Sequence, residues 1–386
     1  MNCNDILSTQ LLENPPRISV SEAIDIYENA NLNDLMYVAS MARKRIVPGN
    51  EVTYLVDRNI NYTNACTINC QFCSFYRPPN HSEAYTQSYD EISKRVSELE
   101  DIGGSRILMQ GGVNPDLELN WYIELISRLH EEHPNIDLDC FSPIEIEGIA
   151  EICQLSTREV LLSLRNAGMH GLPGGGAEML VDTVRLDVSP KKGSSNNWIR
   201  VMREAQELGL TTSATNVIGF GESASDRVMH MDLIRNLQDE TSSSYEGFTS
   251  FISWPVQLQN NVFGSRNKGS NRTELGATSS EYLRHVAVSR IFFDNIKHIQ
   301  ASWPTMGMQV AQLALSAGAD DAGSTMMEEN VVSASGTNKT MATEMELQKI
   351  IFRSGFKPRK RDSDYNLLKT TTLVQSDVYA NPPMQI

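Results

Sequence analysis

From Val52 to Gly355 the chain alternates between short runs that are apolar in blocks or at every second position and longer runs in which apolar residues return every three or four. The extended "VTYLVDRNINYT" precedes the helical "SYDEISKRVSELEDIG", the strand-like "RILMQ", the helical "LNWYIELISRLHEEH" and the strand-like "IDLDCF". The rhythm continues through helix "IEIEGIAEICQL", the glycine-rich turn "GLPGGGAE", helix "NNWIRVMREAQELG", strand "TTSATNVI", helix "SDRVMHMDLIRNLQ" and strand "GFTSFISW". After these come "HIQASW", "MGMQVAQLALSAG", "STMM" and the helical "ATEMELQKIIFRSG". Strands alternating with helices over about 300 residues predict a parallel sheet, and repeating units of roughly 30 to 50 residues predict a partial or complete β/α (TIM-like) barrel.

The flanks behave differently. "SVSEAIDIYENANLNDLMYVASMARKRI" predicts two amphipathic helices broken near Asn29 to Asn33, a helical cap on the barrel. The polar "LQNNVFGSRNKGSNRTELGATSS" reads as a surface loop, and "RDSDYNLLKTTTLVQSDVYANPPMQI" has no strong period and reads as a partly ordered tail. The expected organisation is a helical segment over 1–50, a barrel over 51–355 and a C-terminal extension over 356–386.

Composition narrows the function. Hydrophobic residues make up 40% and charged residues 21%, ordinary globular usage that argues against disorder. No window approaches 18 consecutive apolar residues, and the N-terminus has neither a basic start nor an apolar core. No export and no membrane span are expected. A formal net charge of -15 repels phosphates, so neither nucleic acid nor anionic lipid is an expected partner; a small organic ligand or another protein is. The six cysteines are too few and too uneven for a disulfide framework, which fits a reducing cytoplasm.

Half of those cysteines fall within "NYTNACTINCQFCSFYR": Cys66, Cys70 and Cys73, spaced C-x3-C-x2-C directly after a predicted strand. A structural zinc site needs a fourth ligand and would have to recruit His81 or a distant cysteine. Three unrelated core thiols are a second possibility. Three thiolates on an iron–sulfur cube are a third, leaving one iron open for coordination. The distant Cys3, Cys140 and Cys153 read as a terminal thiol and small buried hydrophobes. "MQGGVNPD" closes the second barrel strand with glycines that permit positive φ and close backbone approach. "LPGGGAE" lacks the lysine and hydroxyl of a phosphate-binding P-loop.

"CTINCQFC" resembles the signature of the radical S-adenosylmethionine (radical SAM) superfamily. The resemblance implies a 4Fe-4S cluster on Cys66, Cys70 and Cys73, with S-adenosylmethionine on the open iron and a low-potential electron donor such as flavodoxin or ferredoxin. A loop after the first strand lies at the C-terminal face, where barrel enzymes keep their sites. The resemblance also places Phe72 against the adenine, with a loop anchor as the alternative. Gln110, Gly111 and Gly112 fall near the methionine amino group, and Glu178 near the ribose hydroxyls. Glu222, in "NVIGFGES", falls on the superfamily's fifth-strand glycine motif, with an ordinary helix N-terminal acid as the alternative.

Further blocks, "ILMQGGVNPDL", "FSPIEI", "GLPGGGAEML", "SPKK", "FTSFISWPVQ", "NIKHIQASWPTMG" and "GSTMMEENVVSASG", resemble the menaquinone (futalosine) branch of that superfamily, most closely its dehypoxanthine futalosine cyclases. What this implies is hydrogen abstraction from the sugar C4′ of dehypoxanthine futalosine, addition of the carbon radical to the benzoate ring, and loss of a proton and an electron. The protein must then clamp a benzoate and offer a base. Ser302, Thr305, Ser324 and Thr325 are candidate donors to the carboxylate and Trp303 a stacking partner, with helix capping as the alternative for each hydroxyl. Asp139 and Glu178 are the candidate bases; Asp139 is expected at the barrel mouth, or else solvated or paired to Arg165 or Arg185. Two positions depart from the family pattern: Asp139 and Phe220 stand where histidine is common. The alternatives are a related synthase of the aminofutalosine or F420-precursor type, and a non-catalytic zinc protein.

Overall fold

In the computed structural model, which describes residues 2–268, 275–337 and 339–370, the alternation becomes ten parallel strands with helices packed outside them. These are β1 (Glu51–Leu55), β2 (Asp57–Ile60), β3 (Arg106–Met109), β4 (Asp137–Cys140), β5 (Gly171–Leu172), β6 (Thr211–Ile218), β7 (Phe248–Pro255), β8 (His298–Gln300), β9 (Asp321–Ser324) and β10 (Lys357–Arg361). Their order is β10-β1-β9-β8-β7-β6-β5-β4-β3-β2.

The two ends of that order share one run of chain, since only Val56 separates β1 from β2. β1 lies between β10 and β9, whereas β2 pairs with β3. The backbone at and beyond the end of β9 follows the same run, with Thr325 N–H donating to Leu55 O at 3.1 Å and Asn59 N–H to Met327 O at 3.2 Å. The sheet therefore curls round as an α/β barrel of the kind expected from the alternation.

Capping explains where several helices begin. Ser88 with Glu91, Ser156 with Glu159, Ser223 with Asp226 and Thr343 with Glu346 form reciprocal boxes at the heads of the helices Tyr89–Asp101, Thr157–Asn166, Ala224–Thr241 and Glu344–Arg353. Each satisfies two otherwise unpaired N–H groups, and losing the capping oxygen costs about 1 kcal/mol. Ile92, Val96 and Leu99 show the buried stripe that docks the first of these helices on the sheet. The helices Val20–Asn29 and Leu32–Ile46 pack outside the barrel on Ala224–Thr241 and Ser279–Phe292.

Two expectations need correction. The polar stretch after Val256 is no bare surface loop: Asn261 caps a short helix, Val262–Arg266, and Phe263 is buried on Phe220. The chain beyond 355 does not simply trail away, because Lys357–Arg361 joins the sheet as β10 and the following residues turn beneath the barrel. The last part of the expected tail, 371–386, lies outside the described residues.

Beside the apolar Leu108, Leu172 and Ile252, several inward positions along the strands are small or polar: Asn59 on β2, Ser213 and Thr215 on β6, Ser250 on β7, Gln300 on β8. Such side chains cannot fill a barrel as layers of Val, Ile and Leu do. A cavity of about 400 Å³ remains, walled by strand residues from the cysteine loop at one end to Arg361, Ser363 and Tyr365 at the other.

Candidate functional site

The loop after β2 is strapped down on every side. Cys66 N–H donates to Arg77 O (2.9 Å), Thr67 N–H to Val113 O (3.0 Å), Gln71 N–H to Val188 O (2.9 Å) and Phe263 N–H to Gln71 O (2.7 Å). Cys66, Cys70 and Cys73 all line the cavity and none is in a disulfide. Burial holds the Cys70 thiol above its ordinary value and pushes Cys73 up to about 11, with the neighbouring thiols adding to both. Thiolates are disfavoured here unless a metal takes the proton's place. Gly112 makes the packing possible: a Cβ there would overlap the Ala65 carbonyl and come within 2.7 Å of Cys66 Cβ. Among the described residues no trio of His, Cys, Asp or Glu converges for a single metal ion, and His81 accepts the amide of Glu83. A cluster of several irons needs its thiols further apart than one ion does.

The rest of the rim follows from the strand ends. Phe72 lines the cavity and meets Phe220 edge-on at 5.3 Å, so the position where histidine was expected serves as an apolar backing. Gln110 donates through Nε2 to Phe141 O (3.0 Å), and Gly112 N–H donates to Thr63 O (3.1 Å). Glu178, in a left-handed turn, is buried between Arg185 Nη1 (3.2 Å) and Lys192 Nζ. That makes two cations on one carboxylate.

Glu145 escapes sequence reasoning because it stands as an ordinary acid in the first turn of a helix. It is buried in the cavity wall and accepts from Tyr62 Oη (2.8 Å), Ser142 Oγ (2.6 Å) and Gly111 N–H (2.9 Å). Burial pushes its carboxyl up to about 7 despite those donors. The quoted "FSPIEI" contains it, and its only sequence signal is the apolar company of Ile144 and Ile146.

Several expected residues sit elsewhere. Asp139 is not at the mouth but level with Leu108, two residues below Gln110. Its neighbours are Arg106, 3.5 Å away, and Ser363 Oγ, which donates at 3.0 Å; Arg165 and Arg185 are not among them. Its second oxygen is buried with no partner, and burial raises its pKa. Glu222 lies outside the cavity wall, accepting the amides of Gly219 (2.8 Å) and Phe220 (2.6 Å) and pairing with Arg227 (2.6 Å). It shapes the turn that holds Phe220 without facing the cavity. Ser302 and Thr305 line the wall, bonded to each other at 3.0 Å. Trp303 is in the core with its indole N–H on Ser324 O (2.8 Å), so its ring cannot stack on a ligand there. Ser324 and Thr325 are also buried away from the cavity, and Thr325 Oγ1 donates to Asp57 O (2.7 Å) across the barrel seam.

Comparison with known proteins decides the family. Residues 60–234 match the model of the radical SAM superfamily, and residues 245–374 match the CofH/MqnC C-terminal region. The chain belongs to the radical SAM superfamily. Within it, this radical SAM protein is 42% identical to a cyclic dehypoxanthine futalosine synthase of Halalkalibacterium halodurans, over 92% of this chain and 93% of that one. Another, of Streptomyces coelicolor, is 37% identical over 95% and 88%. A 5-amino-6-(D-ribitylamino)uracil–L-tyrosine 4-hydroxyphenyl transferase of Methanocaldococcus jannaschii is 35% identical over 91% and 97%. The fold resembles the FeFe-hydrogenase maturase HydG (TM-score 0.69, 15% identity, 92% of this chain and 75% of that one) and methylornithine synthase PylB (0.67, 17%, 92% and 96%).

Radical SAM membership implies a 4Fe-4S cluster and S-adenosylmethionine. The residues present fit them: unbridged, partly buried thiols share a cavity wall with glycine-bearing strand ends and a carboxylate between two cations. Among the described residues no helix is long and apolar enough to cross a membrane.

Proposed function

We propose that this radical SAM protein is a cyclic dehypoxanthine futalosine synthase, converting dehypoxanthine futalosine to its spirocyclic product in menaquinone biosynthesis. The observation carrying this is the match to two such synthases at 42% and 37% identity over more than nine-tenths of the chain. An interior cavity of about 400 Å³ ending on the cysteine loop supports a small-molecule substrate. Cys66, Cys70 and Cys73 would hold the cluster, with S-adenosylmethionine over Gln110, Gly111 and Gly112, its adenine at Phe72 and its ribose at Glu178. Bound there, the pair supplies a 5′-deoxyadenosyl radical once a low-potential donor such as flavodoxin or ferredoxin delivers an electron.

The chain's own residues do the rest. In this reading the strand walls shield the bound substrate and turn its C4′ hydrogen toward the rim. Ser302 and Thr305 offer hydroxyls to the benzoate carboxylate. As the ring closes a proton must leave, and Glu145 is matched to accept it at neutral pH. Glu178, already paired to two cations, serves binding.

The transferase relative supports a second reading, coupling of a tyrosine-derived fragment to a ribitylaminouracil. One anaerobic experiment separates the two: protein with reconstituted cluster, reductant and S-adenosylmethionine, offered either dehypoxanthine futalosine or 5-amino-6-(D-ribitylamino)uracil with L-tyrosine. A product two hydrogens lighter than dehypoxanthine futalosine is expected. Product only in the second arm would overturn the cyclase.

A further inference from the structure

The end of the cavity remote from the cysteine loop is built by chain that sequence reasoning treats as a tail. After β10 the backbone crosses the underside of the barrel. Arg361 donates through Nε to Asp321 of β9 (2.6 Å), Ser363 Oγ to Asp139 of β4 (3.0 Å), and Asp364 accepts Thr211 Oγ1 of β6 (2.6 Å). Tyr365 stacks on His298 of β8 at 3.8 Å, and Arg361 lies over the same ring at 3.9 Å. Four strands from different sides of the barrel thus meet one five-residue segment, and Arg361, Ser363 and Tyr365 face the cavity.

This floor has unused hydrogen-bonding capacity. Gln300 is 7% exposed and lines the cavity, yet its side-chain amide makes no hydrogen bond among the described residues. Arg361 uses Nε and Nη1, leaving Nη2 without a bond among the described residues. Beside them Asp139 lines the cavity wall and accepts from Ser363 Oγ. Buried groups of this kind are costly unless something completes them.

Charge decides what that something is. Around the floor Asp57, Asp137, Asp139, Asp321 and Asp364 face Arg106, His170 and Arg361, an excess of acids even with Asp139 protonated. A carboxylate placed there would meet that excess in a poorly hydrated space. Hydroxyl groups, which both donate and accept, match amide, guanidinium and carboxyl partners together.

We propose that Gln300, Asp139, Arg361 and Ser363 form a subsite for the uncharged, hydroxyl-bearing part of the substrate, so that the segment after β10 helps set specificity. This rests on the cyclase reading, under which the sugar hydroxyls point to the floor and the aromatic carboxylate stays in the upper half of the cavity. The test uses the full-length holoenzyme, with Gln300→Leu and Ser363→Ala compared on dehypoxanthine futalosine and its 2-deoxy analogue. Each variant should bind the parent about tenfold more weakly, the weight of one hydrogen bond, and lose less on the analogue. Equal losses on both ligands, or no loss on either, would overturn the subsite. If the unmodified protein makes no product, the cyclase reading falls and the floor is judged separately with D-ribose as probe. Slower hydrogen exchange of the 361–365 amides on adding D-ribose, absent in Gln300→Leu, supports the subsite; unchanged exchange overturns it.

Discussion

The rim and the floor of this barrel both bury polar groups, yet they differ in their balance of charge. At the rim Arg185 and Lys192 share Glu178, and Lys192 also lies 5.7 Å from the Phe72 ring centroid. At the floor acids outnumber cations. Local pairing hides the asymmetry from a list of ion pairs, but a ligand entering the cavity would feel it. A chain that carries -15 overall keeps Arg185 and Lys192 buried at the end where thiolates and an amino-acid carboxylate would sit. The rim suits anions and the floor suits neutral hydrogen-bonding groups.

The largest test removes the rim altogether. Replacing Cys66, Cys70 or Cys73 by Ala should abolish cluster iron and cleavage of S-adenosylmethionine, whereas Cys140→Ser and Cys153→Ser should keep both; one rim variant with full iron and full 5′-deoxyadenosine would sink the three-thiolate assignment. Next, Glu145→Gln should cut cyclised product by about two to four decades while 5′-deoxyadenosine still forms. The wild-type rate should rise with pH through about 7 as this carboxyl ionises, and that limb should vanish in the variant. Both quantities falling together would move Glu145 from proton transfer to binding.

A smaller effect is expected at Glu178. Glu178→Gln should weaken S-adenosylmethionine binding by about one to two decades, read by equilibrium titration. It should also lower the melting temperature, because Arg185 and Lys192 lose their buried partner. Unchanged affinity would detach the rim's charge from cofactor binding.

The smallest effect belongs to the floor. The hydrogen bond to Asp364 leads in raising His170 to about 9. A folded-state value above the ordinary one stabilises fully below pH 6.5 and less as pH climbs through about 9. Melting temperatures across that window should therefore fall more in the wild type than in Asp364→Asn. Parallel curves would mean that the floor pair does not contribute.

What could be read from sequence was what is local. Three thiols within eight residues announce their chemistry without reference to the fold, and apolar spacing marks β3, β4 and β6 because each strand buries its own face. β10 stayed hidden because "KPRKR" has no apolar period and its partner, β1, is about 300 residues away. Trp303 and Thr325 show a second limit. A strand end says that a side chain is near the cavity, but not whether it faces the cavity or the packed seam beside it. Phe263 was lost in a polar stretch where only one aromatic marks the anchor.

Because β1 pairs with a strand from the far end of the chain, its edge has no partner while the protein is being synthesised. Until Lys357–Arg361 emerges from the ribosome, one side of β1 presents unpaired N–H and C=O groups, and the underside of the barrel stays open to water. Such long-range closure is slow, since the connecting chain loses its freedom before the contact gives anything back. The nascent chain is then exposed to mispairing longest at β1, the strand just before β2 and its cysteine loop, so that among the described strands the last made protects the first.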